Sequence, residues 1–167
     1  MFAGTYALFV PNTHENRILK ICTATLIVAL VWVFPDLFKF KFARPKDKGI
    51  LSFGTLVCIW SLFNLDFNYF APSIYSDPIG AIIGNAFPEP KLYGKKTVAG
   101  SLSIFIVSLL TTYALGSNLL LRISTSIAIT ILELFGGEYD NLALTTPMLT
   151  LCILNKIIRV KNNYLVL

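Results

Sequence analysis

The chain has few of the residues that build metal, disulfide and triad sites in soluble proteins. His14 is its single histidine, which excludes a histidine-clustered metal site and argues against a Ser-His-Asp triad. The cysteines Cys22, Cys58 and Cys152 lie far apart in apolar segments, with no C-x-x-C spacing. They are therefore predicted to be buried, unreactive thiols rather than zinc ligands or disulfide partners.

Charged residues are also scarce. They make up 14% of the 167 residues, and hydrophobic residues make up 55%. A soluble domain has about 25% charged and roughly 45–50% apolar residues. The composition therefore excludes an ordinary soluble globule and predicts one integral, multi-pass membrane domain over 1–167, with the identity of the membrane left open. The net charge of +5 lies in short loops, which favours membrane orientation and anionic headgroups over nucleic acid as its role.

Long apolar runs determine the predicted fold. Backbone groups in lipid must be satisfied within the segment, so such runs become helices of about 20 residues. The sequence predicts an all-α, polytopic transmembrane helix bundle with about six spans, at 18–34, 50–65, 69–87, 98–115, 119–135 and 142–158. Five Lys and Arg residues fall in the loop 36–49, and further lysines in the loop 88–97. By the positive-inside rule, these loops and 136–141 are predicted to share the inner face.

Two polar segments interrupt the apolar pattern. The first, 76–101, reads SDPIGAIIGNAFPEPKLYGKKTVAGS, and the second, 133–147, reads ELFGGEYDNLALTTP. Ionisable groups at membrane depth are costly and usually mark a site, so Asp77 and Glu133 are candidate functional residues. The alternative is that each is a helix-end carboxylate that reaches water. We expect the two segments to meet at the inner face and to bind a phosphate group together.

The stretch G-K-K-T before the fourth predicted span is a candidate phosphate site. A helix start exposes unpaired N–H groups, and glycines allow the backbone to approach an anion closely. The predicted nucleotide or phosphate ligands are Lys95, Lys96, Thr97, Gly100, Ser101 and Asn141. Neither a Walker A sequence nor G-x-G-x-x-G occurs. The alternative, that the lysines serve only as orientation signals, therefore stays open.

An oxygen-rich cluster follows the fifth predicted span, with Glu133, Glu138, Asp140 and Asn141. Hard oxygen ligands suit Mg²⁺ or another divalent cation, which usually arrives with the phosphates of a nucleotide. The predicted metal ligands are Glu133, Asp140 and Asp77. Asp77 and Asp140 are also the predicted catalytic carboxylates, because phosphoryl transfer needs a group that orients or deprotonates the acceptor hydroxyl. The alternative for Asp140 or Asn141 is an N-cap of the last helix.

Gly80 and Gly84 are four residues apart in the third predicted span. This spacing places them on one helix face, where the missing side chains let a neighbouring helix approach closely. Helix packing alone explains the pair, and it does not exclude a site next to it.

In order along the chain, these motifs resemble the membrane-embedded CTP-dependent lipid kinases. The segments DPIGAIIG, KLYGKKTVAGS and ELFGGEYDNLALTTP are similar to the signatures of dolichol kinase, phytol and farnesol kinases and CTP-dependent diacylglycerol kinase, which are related to phosphatidate cytidylyltransferases. The similarity covers about 46–154. The residues that fall on the signatures are Asp77, Gly84, Lys96, Thr97, Gly100, Ser101, Glu133, Asp140, Asn141 and Pro147.

The resemblance implies an enzyme that transfers the γ-phosphate of a nucleotide, CTP in the family, to the hydroxyl of a lipid alcohol. A polyprenol, phytol or farnesol, or diacylglycerol would be the acceptor, and a divalent cation such as Mg²⁺ the cofactor. The implied partners are the lipid substrate, the nucleotide and the bilayer, with a homo-oligomer or a larger membrane complex left open.

Two other functions fit parts of the pattern. The first is a catalytically degenerate family member that acts as a structural or accessory subunit of a membrane complex. Of the family's N-terminal charged element, only Glu15, Arg17 and Lys20 are matched, and Cys22 stands where the family has histidine. The second is a small transporter, for which Asp77 within an interrupted third segment is the sole indication.

Overall fold

A computed structural model describes residues 2–34 and 48–164, and this part of the chain is almost entirely helical. Its helices α1 to α7 are, in chain order, Phe2–Phe9, His14–Val33, Lys48–Leu62, Ala71–Ala86, Val98–Thr111, Leu119–Gly136 and Asp140–Tyr164. Short 3-10 turns occupy Phe67–Phe70, Thr112–Leu115 and Gly137–Tyr139. The predicted all-α class is confirmed for this part of the chain.

The number of spans differs from the prediction. Among the described residues, four segments are long and apolar enough to cross a membrane, namely His14–Val33, Val98–Leu115, Leu119–Gly136 and Asp140–Arg159. The second and third predicted spans are helical, but α3 has 15 residues and α4 has 16. Both fall short of the roughly 20 residues of a full span. The count of six is therefore not confirmed.

Two prolines determine how α4 begins and continues. Pro72 lies in the first turn of α4, so it does not interrupt the third predicted segment. A proline is tolerated there because the first N–H groups of a helix have no intrahelical partner. Pro78 lies inside the helix, which still continues to Ala86 and ends shortly before Pro88.

A short antiparallel hairpin replaces part of the basic loop that was predicted after α4. Its strands, β1 at Lys91–Tyr93 and β2 at Lys96–Thr97, are joined through Gly94, which has a φ of +54°. Glycine adopts this left-handed conformation without steric cost. The strands are too short for alternating hydrophobicity to reveal them in the sequence. The hairpin holds Lys96 immediately before α5.

The helices α4 and α5 pack closely through glycines, as the spacing of Gly80 and Gly84 predicted. A Cβ atom on Gly100 of α5 would lie 3.1 Å from the carbonyl oxygen of Gly80 and 3.3 Å from the Cα atom of Gly84. Further along the same pair of helices, the hydroxyls of Ser76 and Ser108 form a buried hydrogen bond of 2.9 Å. This close contact fixes the position of the α4 residues relative to the start of α5.

The described parts of the segments predicted to share one face lie at one end of the bundle. The ring of Tyr93 in the hairpin contacts Phe135 edge-on, with 5.1 Å between centroids. The amine of Lys48, at the start of α3, lies 5.5 Å from the ring centroid of Tyr139. We call this end, made by Lys48, the hairpin 91–97 and the turn 136–140, the polar end. Most of the predicted loop 36–49 lies outside the described residues.

An aromatic cluster fills the core toward the opposite end. Trp60, in the last turn of α3, stacks on Phe70 with 4.9 Å between ring centroids, and both side chains are fully buried. The Trp60 indole N–H donates to the carbonyl of Asp66 at 3.1 Å. Leu144 and Met148 of α7 are also fully buried in this core. Packing against this cluster fixes the position of α7, whose first residue, Asp140, lies at the polar end.

The three cysteines differ from the expectation of uniform burial. Cys152 is buried, Cys58 is partly buried and Cys22 is exposed, and all three are free thiols. Cys22 is exposed because it lies on an outward face of α2. The segment is so uniformly hydrophobic that the spacing of its apolar residues does not show which face points outward.

Candidate functional site

Lys96 links the two polar segments directly. It lies in β2, and its ammonium group donates to the carboxylate of Glu133 in α6 and, at 3.2 Å, to Asp140 Oδ2 at the start of α7. The turn Gly137–Tyr139 between α6 and α7 reverses the chain, so these two carboxylates lie beside each other. The expectation that the polar segments meet is confirmed by these contacts.

Asp77 of α4 completes a cluster of three carboxylates. One oxygen each from Asp77, Glu133 and Asp140 lies within 4.8 Å of the others. These are the three residues that the sequence analysis predicted as metal ligands. With Lys96, the group combines three acids and one base, so it carries an excess of negative charge when all four are ionised.

Glu133 is the most buried member of the cluster, with 2% of its surface exposed. One of its carboxylate oxygens accepts from Lys96, while the other, Oε2, has no hydrogen-bond partner among the described residues. A buried acceptor without a partner costs about 1–3 kcal/mol, and more when charged. A cation next to this oxygen would remove that cost.

The charge of Lys96 is reinforced by its neighbours. Partial burial by itself would lower the pKa of Lys96, but the hydrogen bond to Glu133 and the negative charges of Glu133 and Asp140 outweigh burial. The net effect raises the pKa of Lys96 above its ordinary value. Lys96 is therefore a permanent positive charge at neutral pH, and it holds the two carboxylates together.

Thr97 and Gly100, two of the predicted phosphate ligands, make contacts that hold the start of α5. Thr97 caps α5, because its Oγ1 accepts a hydrogen bond of 3.1 Å from the backbone N–H of Gly100. Gly100 itself faces α4 in the close contact with Gly80 and Gly84. One of the free N–H groups expected at this helix start is thus already satisfied. A role of Thr97 and Gly100 in phosphate binding stays a prediction.

The other predicted ligands lie around the cluster at different depths. Lys95 is exposed in the hairpin turn, whereas Ser101 is buried and its hydroxyl has no partner among the described residues. The backbone N–H of Asn141 donates to Asp140 Oδ1 at 2.8 Å, so the Asp140 carboxylate also contacts the first turn of α7. Asp140 has helical φ and ψ values of −56° and −39° and is the first residue of α7, so this contact with the next residue is not the N-cap hydrogen bond that was the alternative for Asp140. The side chain of Glu138 lies outside the part of the structure that is described.

A cavity that sequence reasoning missed opens beside the cluster. It measures about 690 Å³, lies between α1, α2, α3 and α4, and is lined at the polar end by Asp77 and Asn141. Most of its walls are aliphatic, and Lys20 of α2 lines it toward the other end. Because residues from five helices, including Asn141 of α7, line it, no single stretch of sequence shows it. The one local indication of a cavity was Lys20, a lysine inside an otherwise apolar segment.

No family model matches this chain, and no curated protein or solved structure is significantly similar to it. The motif resemblance to the CTP-dependent lipid kinases therefore stays a prediction. The functional argument depends on the geometry of the cluster and of the cavity next to it.

Proposed function

We propose that this protein is a membrane-embedded kinase that transfers the γ-phosphate of a nucleotide to the hydroxyl of a lipid alcohol. The observation that carries the proposal is the cluster of Asp77, Glu133 and Asp140, with oxygens within 4.8 Å of one another, around the ammonium of Lys96. Phosphoryl transfer needs such a combination, because carboxylates hold a cation and orient the acceptor while positive groups bind phosphate. The motif resemblance supports CTP as the donor.

The apolar exterior supports a location within a membrane. In the part of the chain that the structure describes, four helical segments have the length and hydropathy to span it. Their surfaces carry exposed large hydrophobic residues, including Leu26, Leu102, Leu110, Leu120, Ile131 and Ile157. Soluble monomers rarely expose apolar patches larger than a few hundred Å². We place the polar end at the inner, cytoplasm-like face, where basic loops are retained.

The donor set fits a divalent cation. Asp77, Glu133 and Asp140 would hold it, because Mg²⁺ prefers carboxylate oxygens and Glu133 Oε2 is a buried acceptor without a partner among the described residues. When bound, the cation would neutralise charge on the phosphoryl group that is transferred. Lys95, exposed in the hairpin turn, is positioned to attract the phosphates of the nucleotide from water.

Asp77 is the residue best placed to act on the acceptor. Of the three carboxylates, it is the one that also lines the apolar cavity. A carboxylate within hydrogen-bond reach of the lipid hydroxyl can orient it and accept its proton as the phosphoryl group is transferred. Such general-base catalysis contributes about 10²–10⁴ in rate. Lys96 positions Glu133 and Asp140 next to this point.

An accessory-subunit role is the second candidate, and a specific observation favours it. Thr97 and Gly100 serve the cap and the packing of α5, and Lys96 is already paired with two carboxylates. All three residues would make the same contacts in a scaffold that never binds nucleotide.

Turnover by the purified protein tests the proposal. We expect labelled phosphate to move from CTP or ATP to a lipid alcohol in the presence of Mg²⁺ and not in the presence of EDTA. Asp77→Asn keeps the size of the side chain but removes its charge, so it should lower turnover by about 10²–10⁴ without unfolding the protein. Asp66→Asn is the matched control, because Asp66 caps the turn before α4 and asparagine caps equally well.

Two outcomes decide between the candidates. Wild-type turnover by both Asp77→Asn and Asp140→Asn would falsify a catalytic role for the cluster. If the wild-type protein transfers no phosphate from any donor, but copurifies with the same membrane partners each time, the accessory role is supported instead.

A further inference from the structure

We infer that the cavity between α1, α2, α3 and α4 holds the hydrocarbon chain of the acceptor, and that it admits a single chain of about 15–20 carbons. This inference rests on the proposed function and specifies its acceptor. It selects a short isoprenoid-type alcohol over diacylglycerol, with its two chains, and over a long polyprenol.

The lining of the cavity matches one amphipathic molecule. The carboxylate of Asp77 and the polar residue Asn141 lie at the polar end, where an alcohol group needs a hydrogen-bond acceptor. Aliphatic residues dominate the remaining walls, among them Ala7, Ala24, Val28, Val57 and Ile74. A hydroxyl at Asp77 and a chain along these walls would satisfy both environments at once.

The volume limits how much of the chain the cavity can enclose. A water-sized group occupies roughly 30 Å³, so a cavity of about 690 Å³ holds on the order of 20 carbon-sized groups. A single isoprenoid alcohol with about 15–20 carbons fits this space. A diacylglycerol with two ordinary acyl chains has about twice as many heavy atoms, and a polyprenol has several times as many.

Lys20 lines the cavity on the side away from the polar end. Its side chain is buried, with 4% exposed, and its ammonium donates to the carbonyl of Val10 at 3.1 Å. The same ammonium lies 3.9 Å from the centroid of the Phe67 ring. A hydrocarbon chain that continued past this point would have to displace a charged group from both partners, which is costly away from water.

The wall formed by α1 is anchored, and the entrance lies at the side. A Cβ atom on Gly4 would lie 2.6 Å from Ile74 Cγ2, so the glycine lets α1 approach α4 closely. Exposed residues that also line the cavity, Tyr6, Leu19 and Ile27, belong to α1 and α2. A lipid can therefore enter sideways, from the bilayer, between these two helices.

Photo-crosslinking of the purified full chain tests this inference without nucleotide. The probe is farnesol with a diazirine at the end of its chain, and labelled peptides are mapped by mass spectrometry. We expect labels in α1 and α2, and competition by unlabelled alcohols of about 15–20 carbons but not by diacylglycerol. Thr23→Trp, an exposed position that lines the cavity, should reduce labelling about tenfold, equivalent to about 1.4 kcal/mol.

Two controls make the result specific. Leu26→Trp adds the same bulk to an exposed position of α2 that does not line the cavity, so labelling should stay at the wild-type level. Lys20→Met removes the ammonium at the far end while keeping the length of the side chain, so alcohols longer than farnesol should become competitors. Unchanged chain-length selectivity in Lys20→Met would contradict the length limit.

The test separates this inference from the kinase proposal. Labels confined to the outer surfaces of α5 or α6, equal competition by diacylglycerol, or no labelling of a folded wild-type protein would each overturn the cavity assignment, whatever the kinase assay gives. Labels in α1 and α2 from a protein without any kinase activity would support the chain-binding cavity while the kinase proposal fails.

Discussion

The pairing of Lys96 with two carboxylates leads to a sharp prediction about the adjacent lysines. Lys95 and Lys96 are neighbours in one basic hairpin, but only Lys96 reaches the acidic cluster, while Lys95 is exposed in the turn. Substitution of each by methionine removes one positive charge and keeps a long side chain. We expect Lys96→Met to destabilise the protein and Lys95→Met to leave its stability close to that of the wild type.

The exposure of the ion pair sets how much stability Lys96→Met should lose. Removing one partner of a fully buried ion pair costs about 3–5 kcal/mol. The Lys96 side chain is 31% exposed and that of Asp140 is 23% exposed, so water screens part of the attraction. We therefore expect a loss of about 1–3 kcal/mol in the free energy of unfolding. For a chain of this size, this corresponds to a decrease in Tm of roughly 2–12 °C.

A divalent cation should restore part of the lost stability. Without Lys96, the carboxylates of Asp77, Glu133 and Asp140 repel one another within 4.8 Å. Two unit charges at that distance interact by about 3.5 kcal/mol at an effective dielectric constant of 20. Millimolar Mg²⁺ should therefore raise the Tm of Lys96→Met more than that of Lys95→Met. Thermal unfolding in detergent, with Mg²⁺ or with EDTA, measures both effects.

The difference in Tm between wild type and Lys96→Met should depend on pH, because the pKa of Lys96 is raised in the folded protein. A group with a higher pKa in the folded state contributes its full stabilisation below its unfolded pKa, here the ordinary lysine value of 10.5. That contribution is lost as the pH rises through the higher folded value. The difference in Tm between wild type and Lys96→Met should therefore shrink above pH 10.5.

Equal effects of the two substitutions would refute this reasoning. If Lys95→Met and Lys96→Met lowered Tm by the same amount, or if neither did, the contacts of Lys96 with Glu133 and Asp140 would not stabilise the fold. Both lysines would then serve only as orientation signals.

Two further predictions concern packing and topology. Gly100→Val should destabilise the protein by about 1–3 kcal/mol, because its Cβ atom would lie 3.1 Å from a backbone oxygen of α4. The control Leu102→Val, on the exposed face of α5, should cost under about 1 kcal/mol. Thermal unfolding compares the two. With the native cysteines replaced, Glu89→Cys and Ser117→Cys should react with an impermeant thiol reagent from opposite sides of a vesicle, because α5 and the turn after it form a candidate span between them. Labelling from one side would show that this segment does not cross.

Local sequence predicted the helices well where an apolar run ends at a residue with strong local preferences. The fourth and fifth predicted spans, 98–115 and 119–135, correspond to the structural segments Val98–Leu115 and Leu119–Gly136. Their limits depend on neighbouring residues only. Thr97 and Asn118 cap the helix starts with their side chains, and glycine follows each of the two segments.

Residue type and order also identified the members of the acidic cluster. Carboxylates next to apolar runs are costly, so Asp77 and Glu133 stood out before any geometry was known. The roles of the predicted phosphate ligands were harder to predict from the sequence. Thr97 and Gly100 were predicted to bind phosphate because they lie beside lysines, but their hydroxyl and backbone contact α5 and α4. A sequence shows which groups are close along the chain, and not which partners already occupy them.

The sequence by itself determined the helical class, the apolar exterior and the identity of the charged residues, because these follow from hydrophobicity and from capping within a few positions. Only the tertiary structure decided that the ammonium of Lys96 lies between Glu133 and Asp140, residues more than thirty positions away in the chain. It also decided that residues of five helices leave a cavity beside Asp77. Ion pairs and cavities depend on distances between side chains of different helices, and those distances arise only when the helices pack.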